Sequence, residues 1–388
     1  HDWTLYGEGL MLEWLRTGQH EQLRLRNRLG GESLLTVPGP RHAPCKVADL
    51  EAAPLRRFLW QLGHSRALLA TGKDERLVNI IELRDKRAKV VLRLDVEFPV
   101  DTKSRNLPTN TQITLLPLRG YQTPLAHARE ALERYGALPC KVNRLDTLLA
   151  SESRAPWTYP DLSAIALSSQ MEAYEGLRAA LKCLLATMRD CEAGVRHQWD
   201  IEFLHDFRVA TRRIRSTIRD LPGVLAPAIA TTLHQDLGHI ARMGGKVRDL
   251  DVLLEDSGRL ICSLPREELE RVHTHFQALR SGASQELLSM LDGDGYRRTL
   301  DTLDRICADT GNELAGARGS EDIRSLLEFS MRRLRQRILK DGRKVDSDTP
   351  ADRIHALRKR CKRLRYLVDV FTTLYQKRTR KSLVAAMK

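Results

Sequence analysis

The stretch from His205 to Leu221, HDFRVATRRIRSTIRDL, most narrows what this chain can fold into. On an α-helix turning about 100° per residue, His205, Arg208, Arg212, Arg215 and Arg219 fall on one narrow stripe. Phe203, Phe207, Ala210, Ile214, Ile218 and Leu221 take the opposite side. Such a helix docks one face in a core and presents a cationic rail on the other. Cations three and four residues apart repel, each pair by about 0.2–0.5 kcal/mol. The bare stripe therefore suggests an anionic partner, against the plainer reading of a solvated face on a basic protein.

The pattern returns at the far end of the chain. His355 to Phe371 reads HALRKRCKRLRYLVDVF and matches the first rail at one constant offset. His355 answers His205, Arg358 answers Arg208, Lys362 answers Arg212, Arg363 answers Arg213, and Arg365 answers Arg215. The second stripe is His355, Arg358, Lys359, Lys362, Arg365 and Tyr366, with Leu357, Cys361, Leu364, Val368 and Phe371 facing away. A repeat that keeps a histidine and its cations argues for two related helical units whose rails face one ligand.

These residues resemble the CHAD family, the conserved-histidine α-helical domain. The likeness rests on HDFRVATRRIR, on HALRKRCKRLRY, and on Gly245 to Val252, GKVRDLDV, which is similar to the family's arginine-aspartate signature after its third helix. It implies an all-α domain of two pseudo-symmetric four-helix halves, about residues 162–315 and 320–388, with a basic groove for inorganic polyphosphate. The second half lacks a counterpart of GKVRDLDV, so it is expected to be incomplete in this chain. The expected ligands of polyphosphate are His205, Arg208, Arg212, Arg213, Arg215 and Arg219 from the first rail and Lys246 and Arg248 from the signature. His355, Arg358, Lys359, Lys362, Arg363, Arg365 and Tyr366 join them from the second. Arg333 and Arg337 come from a further basic row with Lys340 and Lys344, which the first half does not repeat.

Composition sets the outer bounds. A chain of 388 residues has room for more than one core, and a net charge of +14 favours polyanionic partners. Aromatic residues make up only 5%, against the stacking platforms of single-strand binders. The cysteines number seven, with no CxxC pair, which fits a reducing compartment and neither a disulfide framework nor a zinc site. No run reaches the roughly 18 apolar residues of a membrane span, and no signal peptide is visible. The expectation is a cytoplasmic protein, on polyphosphate granules, with no cofactor or metal.

Residues 1–150 have a different texture. Gln22 to Arg28 (QLRLRNR), Lys89 to Phe98 (KVVLRLDVEF) and Gln112 to Leu118 alternate apolar and polar residues with the period of a strand. Leu77 to Leu83 reads as a further strand and Val47 to Leu69 as a helix, giving an α+β domain of antiparallel strands. Leu92, Leu94, Val96 and Phe98 are expected on the packed face, with Arg93, Asp95 and Glu97 on the other. The segment resembles the CYTH family of triphosphate-tunnel proteins in LRLRNR, VVLRLDVEF, TLLPLRGYQ and LPCKVNR. That family opens with a glutamate-x-glutamate-x-lysine strand for metal and phosphate, and here Tyr6 to Leu15 offers only Glu8 and Glu13 at another spacing. The domain is thus expected to be degenerate, without triphosphatase activity, although Arg24, Arg26, Arg28, Arg84, Arg93 and Arg119 could hold an anion.

Residues 151–161 read as a proline-rich polar linker, and helices fill 162–388. Ala193-Gly194 reads as a helix stop, Pro227 to Met243 as a third helix that Gly244-Gly245 ends, and Gly316 to Ser320 as a hinge between halves. Asp249 and Asp251 suit helix capping or the orienting of arginines better than metal binding. The favoured reading is a non-catalytic polyphosphate binder. The alternatives are nucleic-acid binding through the same surface, or a metal-dependent tunnel triphosphatase in the first domain.

Overall fold

The computed structural model describes residues 3–17, 20–28, 33–39, 44–63, 66–99, 111–118, 120–139, 144–151, 162, 165, 167–168, 170–260 and 265–374. The chain divides into two units, His1–Thr158 and Tyr159–Lys388. Apart from Ser151, the expected linker lies outside the described residues.

The first unit is α+β. It runs α1 (Thr4–Gly7), β1 (Leu10–Thr17), β2 (His20–Asn27), β3 (Ser33–Pro38), β4 (Cys45–Lys46), α2 (Ala53–Gly63), β5 (Ala67–Leu68), β6 (Arg76–Arg84), β7 (Val90–Pro99), β8 (Gln112–Pro117), α3 (Gln122–Arg134) and α4 (Arg144–Ser151). The described strands form antiparallel sheets ordered β1-β2-β3, β4-β5 and β6-β7-β8. Alternation in β2 works as expected: Leu23 and Leu25 are buried with Val47, Leu50, Leu55 and Leu59, while Arg24 stands opposite Glu13 of β1.

Two expectations need correction here. The helix read over Val47 to Leu69 divides into a 3-10 turn at Val47–Asp49 and α2, because Pro54 suits a first helical turn, and Ala67–Leu68 instead pairs with Cys45–Lys46. The face of β7 read as solvated is covered at one end: Glu97 is buried in an ion pair with Arg144 of α4, and Phe98 is exposed.

The second unit is helical: α5 (Ala173–Arg196), α6 (Ile201–Asp220), α7 (Pro227–Leu260), α8 (Arg266–Asp292), α9 (Asp294–Ala308), α10 (Ile323–Gly342) and α11 (Ala351–Val370). Asp200 caps α6 by accepting from the backbone N–H groups of Glu202 at 2.9 Å and Phe203 at 3.1 Å. The apolar face of α6 is buried as its spacing predicts, from Phe203 to Leu221. Pro222 and Gly223 follow its end, and Gly223 takes the positive φ that a turn demands there.

The repeat is built into the backbone. The same offset that carries His205 to His355 carries the start of α5 to the start of α10, and that of α6 to that of α11. An isolated antiparallel bridge joins Glu172 to Asp322, each being the other's counterpart. The Ala173 N–H donates to the Glu321 carbonyl at 2.7 Å and the Ile323 N–H to the Met171 carbonyl at 3.1 Å. Such reciprocity is what a local two-fold axis produces.

Three glycine readings change. Gly194 does not stop α5; it lies within that helix, where a Cβ would strike the Phe203 ring. Gly244-Gly245 does not end the third helix, which continues through GKVRDLDV to Leu260. The expected hinge is tied down: Gly316 N–H donates to the Val224 carbonyl and Arg318 N–H to the Gly223 carbonyl, both at 2.8 Å.

Gly194→Ala tests the close approach of α5 and α6. Alanine favours a helix interior by about 1 kcal/mol over glycine, yet overpacking against Phe203 should lower stability by about 1–3 kcal/mol. Urea unfolding of the two proteins measures the sign, and a more stable variant contradicts the packing.

Candidate functional site

The first rail does not face open solvent. Every member of it from His205 to Arg215 is partly buried, because α6 lies between α5 and α7. Arg215 Nε donates to the His234 carbonyl at 3.1 Å, and its Nη2 lies 3.1 Å from His234 Nε2. Arg208 runs over Gly244, where an added Cβ would stand 3.1 Å from its Cγ. Burial lowers the pKa of Arg208, with Arg212 adding to it, and that of Arg215, with Arg242 adding to it. Burial likewise lowers His205 below the ordinary histidine value.

The second rail is more open. His355, Arg358, Lys359, Lys362 and Arg365 are exposed along α11, and Tyr366 is half-buried. The two rails meet at Lys362, whose pKa is lowered by partial desolvation of its ammonium and then by Arg358, Arg212, Arg365 and Arg208.

What holds these like charges together is a crossed pair of ion pairs. Arg213 of α6 reaches Asp369 of α11 at 3.4 Å, and Arg363, its counterpart in the repeat, reaches Asp220 of α6. The contacts ascend one helix as they descend the other, so α6 and α11 run in opposite senses where they touch. The Arg213 guanidinium also stands 5.7 Å from the centre of the Tyr366 ring. Arg213, Arg363 and Tyr366, expected as ligands, are thus engaged in the helix crossing. Arg219 and Arg365 sit beside the same acids, 3.6 Å from Asp220 and from Asp369 respectively.

The remaining expected residues are dispersed. Lys246 is exposed and paired with Glu286 of α8 at 2.8 Å. Arg248 is paired with Glu202 at 3.3 Å and lies close enough to His205 to lower its pKa. Arg333 and Arg337 are exposed on α10, outside the described contacts that join the rails. Asp251 is buried and accepts from Arg280 Nε at 2.6 Å, while Asp249 acts on Arg208. No group of residues able to hold a metal ion occurs among the described residues.

Sequence reasoning takes His234 for a surface or core residue and does not single out Arg242; both stand near Arg215 from α7. The signal was there: His234, Gly238 and Arg242 recur every fourth residue and share a helix face.

Arginines of the first unit behave differently. Arg24 pairs with Glu13 at 2.8 Å, Arg28 with Asp146 at 3.0 Å, Arg84 with Glu82 at 2.7 Å and Arg93 with Glu82 at 3.2 Å. Arg26 also reaches Glu13, and Arg119 lies outside the described residues. In contrast, Arg208, Arg212, Arg358 and Lys362 have no ion-pair partner among the described residues. Buried Nε atoms of Arg208 and Arg212 lack any hydrogen-bond partner there. The rail junction thus gathers four cations that form no ion pair among the described residues.

No curated protein matches the chain. Among solved structures, the CHAD domain from the plant Ricinus communis is 26% identical, with a TM-score of 0.49 over 58% of this chain and 75% of that one. PptA from Streptomyces chartreusis is 14% identical, with a TM-score of 0.42 over 56% of this chain and 80% of that one. The CHAD domain family model matches residues 179–388, more than half of the chain and inclusive of both rails, and the chain therefore belongs to the CHAD-domain family.

Proposed function

We propose that the protein binds inorganic polyphosphate at the junction of its two rails and does not turn it over. The observation that carries this reading is the convergence of Arg208, Arg212, Arg358 and Lys362, none of which has an ion-pair partner among the described residues. A linear phosphate chain supplies closely spaced negative charges, and guanidinium forks and ammonium groups suit its oxygens. Tyr366, the one aromatic residue in either rail, already faces Arg213, which weakens the case for base stacking.

Turnover would need carboxylates that are free to hold a metal. We read the first unit as a degenerate triphosphate-tunnel-like domain, and its buried carboxylate Glu97 is held by Arg144. Among the described residues no helix is long and apolar enough to cross a membrane. The reading places the protein in the cytoplasm, on polyphosphate granules.

Pairwise removal of cations tests the two-rail geometry. Arg208→Ala with Arg212→Ala, or Arg358→Ala with Lys362→Ala, should each weaken polyphosphate binding while leaving helicity unchanged. A lost charge-assisted contact removes about 1.5–3 kcal/mol, so each double variant should bind at least tenfold more weakly in titration calorimetry. Wild-type affinity in either one contradicts a shared ligand.

Protonation supplies a second test. Burial holds His205 below its ordinary value of 6.5, so the unfolded chain binds that proton more readily and the free protein loses stability as pH falls through about 6.5. A polyanion alongside favours the charged ring, so binding takes up a proton and affinity rises as pH falls across the same window. His205→Gln should flatten that rise; an unchanged pH profile removes His205 from the site.

A further inference from the structure

Glycine within a helix is unfavourable, yet α7 carries Gly238 in its interior on the side that meets α6. A Cβ at Gly238 would stand 3.2 Å from Cζ, Nε and Nη2 of Arg215 at once. That is tighter than ordinary van der Waals contact, so an alanine would push the guanidinium away. Where it now lies, Arg215 donates to the carbonyl of His234, one turn before Gly238, and its Nη2 meets the Nε2 of the same residue. Those bonds occupy one edge of the fork and leave its other N–H groups for a ligand. Arg242, one turn after Gly238, is exposed beside it and acts on its charge.

We infer that Gly238 is a positioning residue of the polyanion site: its missing side chain seats Arg215 against His234, so that the free edge of the guanidinium and Arg242 present one phosphate-binding step in line with the rail. The inference rests on the polyphosphate reading for its ligand and on the Arg215–His234–Gly238 geometry for its mechanism. Gly245 of the same helix provides the contrast. A Cβ there would be 3.6 Å from Arg208 Nη2, an ordinary contact, so alanine should be accepted.

The test uses the full chain with long-chain polyphosphate and three variants, Gly238→Ala, Gly245→Ala and Arg215→Lys. Titration calorimetry at fixed salt gives affinity, thermal melting gives stability, and NMR follows the His234 ring through its titration. Gly238→Ala alters no charge and improves helix propensity, so it should melt no lower than wild type while binding polyphosphate about tenfold more weakly. Its His234 ring should titrate higher than in wild type, because burial and then Arg215 are what lower it. Gly245→Ala should bind like wild type. If Gly238→Ala does not fold, Arg215→Lys decides: it keeps the charge, loses the fork, and should lose comparable affinity.

Unchanged affinity in Gly238→Ala or Arg215→Lys overturns the seat, as does an equal loss in Gly245→Ala. Should wild type itself fail to bind polyphosphate, the functional reading falls on its own. The His234 titration then decides the seat alone: an upward shift in Gly238→Ala supports it and no shift overturns it.

Discussion

The junction of the two rails depends on two opposed ion pairs at the crossing of α6 and α11. Two like charges 4 Å apart repel by about 4 kcal/mol at the effective dielectric near a protein surface. Arg208 and Arg212 of α6 both act on the charge of Lys362 of α11, so the crossing carries a like-charge repulsion. Compensation comes from two acids, each set against an arginine of the other helix. Asp220 takes Arg363 and Asp369 takes Arg213, each pair linking one helix to the other. Asp220 is almost wholly enclosed, which keeps its attraction from being screened. The fold thus uses Arg213 and Arg363 to hold the crossing, while Arg208, Arg212, Arg358 and Lys362 have no ion-pair partner among the described residues.

The two units show what the alternative looks like. In the first unit Arg24, Arg28, Arg84 and Arg93 each have a carboxylate within 3.3 Å, and Glu97 is itself held by Arg144. Those four arginines are neutralised from within. The rails have cations of the same kind in a setting with fewer acids. Net charge of +14 cannot distinguish these cases, because it counts residues and ignores their pairing.

Much of this was legible in the residues because helical periodicity is strict. The face of α6 that buries Phe207 and Ile214, the matched starts of paired helices, and the strand over Val90–Pro99 all follow from spacing. What escaped was long-range. Arg213 and Arg208 are both cations of α6, and only tertiary placement shows that Arg213 stands opposite Asp369 while Arg208 has no ion-pair partner among the described residues. Glycine misled for the same reason: Gly194, Gly244 and Gly245 suggest breaks locally but lie within helices, where Gly194 and Gly244 admit Phe203 and Arg208 from α6. β1 was missed because LMLEWLRT is apolar on both faces and shows no alternation.

The claim that these rails are a phosphate path, beyond a generally basic surface, is tested most directly by competition under salt. Binding of long-chain polyphosphate, RNA and duplex DNA would be measured across a salt series at equal phosphate concentration. All three should weaken as salt rises, since each neutralised phosphate of a single-stranded polyanion releases about 0.7 of a counterion. Polyphosphate has no sugars or bases between its charges, so it can follow both rails at once. It should stay bound at salt that has released both nucleic acids. Equal affinities for all three throughout the series would contradict the account and leave only a protein that presents positive charge.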